Sequence, residues 1–344
     1  MALSFLKYIS TMIAKLSVEQ VSSELVLHYL KTIKAEGFTG DVDASYGTRL
    51  LAATDNSVYQ TVPQGVIFPK TNKDVQTALN IASRDPFLSL TFGPRGGGTG
   101  TNGQSLTPGI VIDLSRHMTD VLEINEQEGW VRVQAGVIKD QLNDFLRPYG
   151  YFFAPDLSTS NRATVGGMIN TDASGQGSLV YGKTSDHTLA IKAYLADGSE
   201  LNTQKVSLEK AKVISEQDSA VGRVYKSVLD VATQKRELIL EKFPRLNRFL
   251  TGYDLEHVLN DTLSEFDIGR VLTGSEGSLA IITEAKFNIT PIAKFKTLIN
   301  IKYDSFDSAL RNSPFLVDAQ ATSVETVDSK VLNLAKEDIV WHSV

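Results

Sequence analysis

The sequence predicts an α+β fold, and three observations carry that expectation. Short apolar strands alternate with amphipathic helices before Ile110, alternating strands separated by turn residues follow from Val121, and polar glycine-bearing segments interrupt both. Units of βαβ type followed by antiparallel pairs are the mark of α+β rather than of a doubly wound parallel sheet.

The elements follow in order. Val18 to Lys34 places Val21, Leu25, Val26 or Leu27, Tyr29 and Ile33 at helical spacing, and Gly37 ends the helix. Ser45 to Leu51 reads as a short helix or turn. Val66 to Phe68 is a buried strand stopped by Pro69, and Asn72 caps a helix with Val75, Ala78, Leu79 and Ala82 on its apolar face. Leu88 to Phe92 and Ile110 to Leu114 are strands. Val121 to Ile124 pairs with Trp130 to Ala135, where Val131, Val133 and Ala135 alternate with Arg132 and Gln134 at the strand period of two. A helix runs over Ile138 to Leu146. Leu189 to Ala196 is a strand leading into an Asp197-Gly198 turn. One long helix covers Ala220 to Lys242, and Leu279 to Ile289 is a last strand closed by Pro291.

Three regions result: an extension over 1–17, a main domain over 18–292, and a piece over 293–344. That last piece reads strand (Thr297 to Tyr303), helix (Asp307 to Leu316), strand (Ala321 to Val327), helix (from Ser329). So short a piece can hardly bury a core, and Val344 reads as an interruption rather than a domain end.

Composition narrows the function. The 344 residues carry a formal net charge of −6, which argues against a nucleic-acid partner. There is no cysteine, so disulfides, zinc thiolate sites and thiolate-held iron–sulfur clusters are excluded within these residues. The five histidines, His28, His117, His187, His257 and His342, show no metal-pair spacing, and no metal site is expected. The N-terminal stretch lacks a signal-peptide cleavage pattern, and no run of about 18 apolar residues suits a membrane span. A cytoplasmic location is the expectation, with attachment to the inner membrane face left open, as is a homo-oligomer.

The most informative run is Pro94-Arg95-Gly96-Gly97-Gly98-Thr99-Gly100-Thr101-Asn102-Gly103. It contains the spacing G-x-G-x-x-G, with Glu123 about 20 residues on. The dinucleotide fingerprint needs a helix opening at its glycines. Here Leu106-Thr107-Pro108-Gly109 and a strand follow, so that reading fails. The chemistry still suits a phosphate, because residues without Cβ expose backbone N–H groups and reach φ > 0. Arg95 either offers charge or braces the loop. A glycine-rich surface turn is the plain alternative.

Two further segments accompany it. Phe153 to Gly177 is small and polar, yet Val165, Met168 and Ile169 form a short helical face that Thr164 can cap. It suits a buried segment against a flat polar ligand better than a linker. Leu272 to Thr283 holds Gly274-Ser275-Glu276-Gly277 and runs into a strand, which alone is a weak signal.

Together the three segments resemble the FAD-binding domain of the vanillyl-alcohol oxidase type, the PCMH-type fold, over about residues 40 to 292. The resemblance implies two α+β subdomains followed by the start of a ferredoxin-like cap domain. It implies a cofactor site made of Arg95, Gly96, Gly97, Gly98, Thr99, Gly100, Thr101, Asn102 and Gly103 from the pyrophosphate loop. From the P-D-x-S…T-x-G-G segment come Pro155, Asp156, Ser158, Asn161, Thr164, Gly166, Gly167, Asn170, Ala173 and Ser174. Tyr181, Gly182 and His187 stand in a Y-G-x-x-x-D-like block, and Glu276, Gly277, Ile281 and Ile282 in the G-S-E-G-x-L-x-I-I-T block.

Covalent members carry a histidine where this chain has Thr99, so the implied FAD is non-covalent. Thr251-Gly252-Tyr253-Asp254-Leu255 and the spelling Asn170-Thr-Asp-Ala-Ser-Gly-Gln-Gly resemble the D-2-hydroxyacid dehydrogenase branch, in particular the large YdiJ-type FAD/iron–sulfur D-2-hydroxyglutarate dehydrogenases. Ser323 to Asp328 resembles the opening of their cap. The implied activity is oxidation of a D-2-hydroxy acid, D-2-hydroxyglutarate first, by hydride transfer to flavin N5. D-lactate or glycolate dehydrogenation, an oxidase, and an FAD-binding fragment inactive without further domains are the alternatives.

The resemblance places the catalytic residues and any iron–sulfur cluster beyond Val344, and names no electron acceptor. Among the histidines, His187 is the candidate ionisable group near the cofactor or else structural. His117 reads as a structural hydrogen-bond partner, His28 as a surface residue, and His257 and His342 as structural. Asp156 either meets the flavin side or caps a turn, and Arg162 either lies on the cofactor path or is a solvated charge.

Overall fold

The computed structural model describes residues 21–244, 246 and 252–343. The extension over 1–17, the first residues of the helix expected from Val18, Thr251 and Val344 lie outside the described residues.

Two sheets organise the chain. α1 (Glu24–Ala35) is capped by the Ser23 hydroxyl and buries Val26, Tyr29, Leu30 and Ile33. Then come β1 (Asp41–Asp43), β2 (Gly65–Phe68), α2 (Asn72–Ala82), β3 (Phe92–Arg95) and β4 (Ile110–Asp113). They form a four-stranded sheet of order β1-β2-β4-β3, with β4 parallel to both β2 and β3 and β1 antiparallel at one edge. The cap of α2 is Thr71, not Asn72: the Thr71 hydroxyl accepts from Asp74 N while the Asp74 carboxylate accepts from Thr71 N, a complete capping box. Asp74 does more, since it also accepts from Thr39, and burial of that carboxylate is offset by enough donors to leave it below the usual range.

β5 (Val121–Asn125), β6 (Trp130–Gln134), α3 (Lys139–Leu146), α4 (Val165–Asn170), β7 (Thr188–Tyr194) and β8 (Glu200–Asn202) follow. α5 (Ala220–Gln234), α6 (Arg236–Lys242) and β9 (Ile281–Asn288) complete this part. The second sheet is antiparallel throughout, in order β5-β6-β9-β7-β8. α4 packs against β9. One continuous buried cluster, including Ile67, Ile112, Val133, Ile169 and Phe287, joins both sheets.

Four expected elements differ. The strand placed at Leu88 to Phe92 begins at Phe92, after a single turn over Phe87–Ser89, because the partner β4 starts opposite Phe92. The long helix over Ala220 to Lys242 breaks at Lys235 (ψ 14°), where the Arg236 guanidinium turns to the carbonyls of Glu256 and Leu259. The strands expected over Thr297 to Tyr303 and Ala321 to Val327 are irregular. A strand needs a hydrogen-bonded neighbour, and these segments have none among the described residues. The two helices between and after them do form, as α7 (Phe306–Asp318) and α8 (Ser329–Glu337), and neither buries a residue.

Candidate functional site: an open cleft built by three segments

β3 delivers the glycine run at its C-terminal end, and the chain returns to the adjacent parallel β4 with no helix at the glycines. The dinucleotide-fingerprint geometry is thus absent here. α4, capped by the Thr164 hydroxyl on Gly167 N at 3.3 Å, brings the second segment beside the run. The turn before β9 brings the third.

The three are locked by close approach. A Cβ on Gly96 would collide with the Thr164 hydroxyl, and one on Gly97 with the Arg162 carbonyl oxygen. A Cβ on Gly277 would lie 2.6 Å from the Pro94 ring. The glycines therefore serve segment packing as well as N–H exposure. Only Gly98 (φ 60°) and Gly103 (φ 80°) of the run need the left-handed region. Asn170 joins the second and third segments: its carbonyl accepts from Glu276 N at 2.8 Å and its side-chain oxygen from Gly277 N at 3.1 Å.

The result is an open cleft of about 270 Å³. Its polar wall is the glycine run, and Leu114, Ala135, Ala163, Met168 and Ile282 supply apolar surface. The backbone N–H groups of residues 96–101 have no hydrogen-bond acceptor among the described residues. Six such donors in succession on one cleft wall have the chemistry an anion cradle needs. Arg95 braces rather than reaches: its guanidinium donates to the carbonyls of Ala52 and Thr54 and to the Ser105 hydroxyl. Burial lowers its pKa, opposed by Asp113 and Asp55.

Of the residues the resemblance implies, Arg95, Gly96, Gly97, Gly98, Thr99, Gly100, Thr101, Thr164, Gly166, Gly167, Asn170, Ala173, Glu276, Gly277 and Ile282 line this cleft. Asn102 lines a second, polar chamber that shares Gln104, Thr171 and Glu276 with the cleft. Gly103, Pro155, Asp156, Ser158, Asn161, Ser174, Tyr181, Gly182, His187 and Ile281 stand outside the lining. Asp156 is ion-paired at 2.7 Å with the buried Lys139 ammonium. His187 is buried with both ring nitrogens engaged, one by Asn288 and the other by the Tyr181 carbonyl at 2.6 Å, which makes it a structural tie.

His117, His28 and His257 also have local partners, while His342 is exposed. His117 meets Asp41 at 2.7 Å, and that hydrogen bond holds the Asp41 carboxyl low. His28 packs edge-on against Phe87. His257 meets Asp254 at 2.8 Å.

Sequence reasoning missed Gln104, Ser105, Ala135, Leu157 and Thr159 at the cleft. Ala135 carried a signal: it is a small residue directly after β6, where Gly166 packs so closely that an added Cβ would lie 2.8 Å away. Among the described residues no group of three or more His, Asp or Glu could hold a metal, and no helix is long and apolar enough to cross a membrane.

A family profile described as "FAD binding domain" matches residues 63–204, which include the glycine run, α4 and the whole second segment. Residues 63–204 are thus similar to FAD-binding domains. The chain is 60% identical over 333 residues to the D-2-hydroxyglutarate dehydrogenase of Escherichia coli (strain K12), covering 97% of this chain and 33% of that protein. It is 51% identical, over the same shares, to the D-2-hydroxyglutarate dehydrogenase of Pseudomonas putida. The chain thus spans about a third of the length of these curated relatives. The fold of a solved alkyldihydroxyacetonephosphate synthase matches with a TM-score of 0.57 at 17% identity, over 82% of this chain and 43% of that one. The α+β fold of the chain is thereby supported by a distant structure as well.

The cleft fits FAD on the donor set alone. A row of free backbone N–H groups suits a pyrophosphate, and an apolar wall beside it suits a ring system.

Proposed function

We propose that this chain is the FAD-holding part of an oxidoreductase that converts a D-2-hydroxy acid, D-2-hydroxyglutarate first, to its 2-oxo acid. The row of free N–H groups at residues 96–101 carries the cofactor assignment, and the names of the relatives support the substrate. Residues 18–292 are the FAD-binding unit, and 293–344 begin a substrate-covering cap.

The residues of this chain divide the work. The amides of 96–101 would hold the pyrophosphate of a bound FAD. Arg95 pins the loop by binding the carbonyls beneath it. Asn170 fixes the 276–277 turn against the cleft. FAD held there supplies flavin N5 as the acceptor of the substrate's C2 hydride. The hydroxyl proton goes to a general base. Among the described residues no histidine lines the cleft. Thr99 offers only a weakly nucleophilic hydroxyl where covalent members carry a histidine, which supports a non-covalent cofactor.

Anaerobic mixing of the FAD-loaded protein with D-2-hydroxyglutarate tests the substrate. Bleaching of the oxidised flavin band by the D enantiomer and not the L is the expected result. Faster bleaching by D-lactate or glycolate would reassign the substrate, and rapid reoxidation by air would favour an oxidase.

A further inference from the structure

Glu276 stands where the cofactor cleft meets the second chamber, a polar space of about 210 Å³, and lines both. Its backbone has φ 54°, a left-handed conformation rare outside glycine. The position is nevertheless held firmly, by the bond from its own N–H to the Asn170 carbonyl and by the neighbouring bond from Gly277 N to the Asn170 side chain. A carboxylate is therefore fixed at the cleft wall.

The charges around it do not balance it. In the cleft the one cationic lining residue is Arg95, whose guanidinium is already engaged by Ala52, Thr54 and Ser105. In the second chamber Lys183 is ion-paired to Asp172 at 2.9 Å. Asp254 there pairs with His257 at 2.8 Å and with Arg270 at 3.6 Å. No ion pair reaches Glu276 among the described residues. Its polar partner is the neutral Gln104 amide, whose own oxygen accepts from Asn102 N at 3.0 Å. Glu276 thus shares its two cavities with two further carboxylates and no cation of its own. Burial already pushes its carboxyl up.

FAD adds a pyrophosphate carrying two negative charges to the same cleft. Like charges in a partly dry cleft repel far more strongly than in water.

We propose that Glu276 takes up one proton from solvent when FAD binds and stands in the complex as a neutral acid, a hydrogen-bond donor in the cleft wall. This rests on the FAD reading above. The sign follows from linkage. At pH below the pKa of Glu276 in the free protein the group is already neutral, so affinity is highest and flat. Above it, each FAD bound draws in a proton and affinity falls as pH rises, by up to about tenfold per pH unit.

The test is FAD affinity against pH by quenching of FAD fluorescence, with calorimetry in two buffers of different ionisation enthalpy to count protons. The wild-type chain should lose affinity with rising pH and take up close to one proton per FAD. Glu276→Gln should bind FAD with a flat profile and no uptake, and His257→Gln should keep the wild-type slope. Wild-type binding without proton uptake, or a Glu276→Gln profile that matches wild type, overturns the proposal. If Glu276→Gln does not fold, the wild-type proton count decides alone. Failure of FAD to bind at any pH would instead overturn the cofactor reading and this inference with it.

Discussion

The side-chain oxygen of Asn170 accepts the backbone N–H of Gly277 at 3.1 Å, joining positions 107 residues apart. Asn170 ends α4 and Gly277 precedes β9, so this bond ties the second cleft-building segment to the third. Asn170→Ala removes the acceptor and should cost about 1 kcal/mol, read as a lowered melting temperature, with weaker FAD retention. Asn170→Asp keeps the acceptor but adds charge to the cleft. It should retain more stability than the alanine variant and bind FAD worse. Wild-type FAD retention in both variants would separate this bond from the cofactor site.

Gly97 packs against the Arg162 carbonyl with no room for a Cβ. Gly97→Ala should therefore destabilise by roughly 1–3 kcal/mol and abolish FAD retention. Gly129, in the hairpin turn with φ 69° and open space around it, is the control. Gly129→Ala should cost about 1 kcal/mol for backbone strain alone and leave FAD content unchanged, by thermal melts and by the flavin-to-protein absorbance ratio.

Backbone N–H groups, not lysine ammonium groups, face the expected pyrophosphate. Exposed ion pairs weaken with added salt, whereas short hydrogen bonds to fixed dipoles do so much less. FAD affinity should change less than about threefold between 50 mM and 500 mM salt. A loss beyond about tenfold would point to a cationic side chain at the phosphates.

His257 has its pKa raised, first by the hydrogen bond to Asp254 and then opposed by burial. A raised folded-state pKa stabilises the fold fully below the unfolded histidine value and loses that stabilisation as pH rises through the folded value. Melting temperature should fall over that window, just above the ordinary histidine range. His257→Gln should flatten that part of the profile, and an unchanged profile would refute the assignment.

Local pattern made much of the fold legible. The strand period at Trp130 to Ala135 and the apolar stripes of α1 and α2 reflect burial on one face, which periodicity records directly. The breaks were less legible because they depend on distant partners. Lys235 interrupts a helix pattern where Arg236 finds the carbonyls of Glu256 and Leu259. The stretch Thr297 to Tyr303 has a strand's composition and, among the described residues, no strand to pair with. At the site, the glycine run and the Thr164 cap were readable as local chemistry. That Gly96 and Gly97 serve contact with Thr164 and Arg162, or that Gln104 joins Asn102 to Glu276, was not, because those contacts are set by tertiary packing. The pairing of His187 with Asn288 is of the same kind: a histidine beside a glycine-bearing block resembles a cofactor ligand until its partner on β9 is seen.

The most direct test of the cofactor site is the absorbance spectrum of the purified protein before and after denaturation, with FAD supplied during purification. A flavin spectrum in the native protein, with FAD released into the supernatant on denaturation, is the result predicted by a backbone cradle with Thr99 in the loop. A protein that carries no flavin and takes up none, or flavin that stays with the denatured chain, would contradict it.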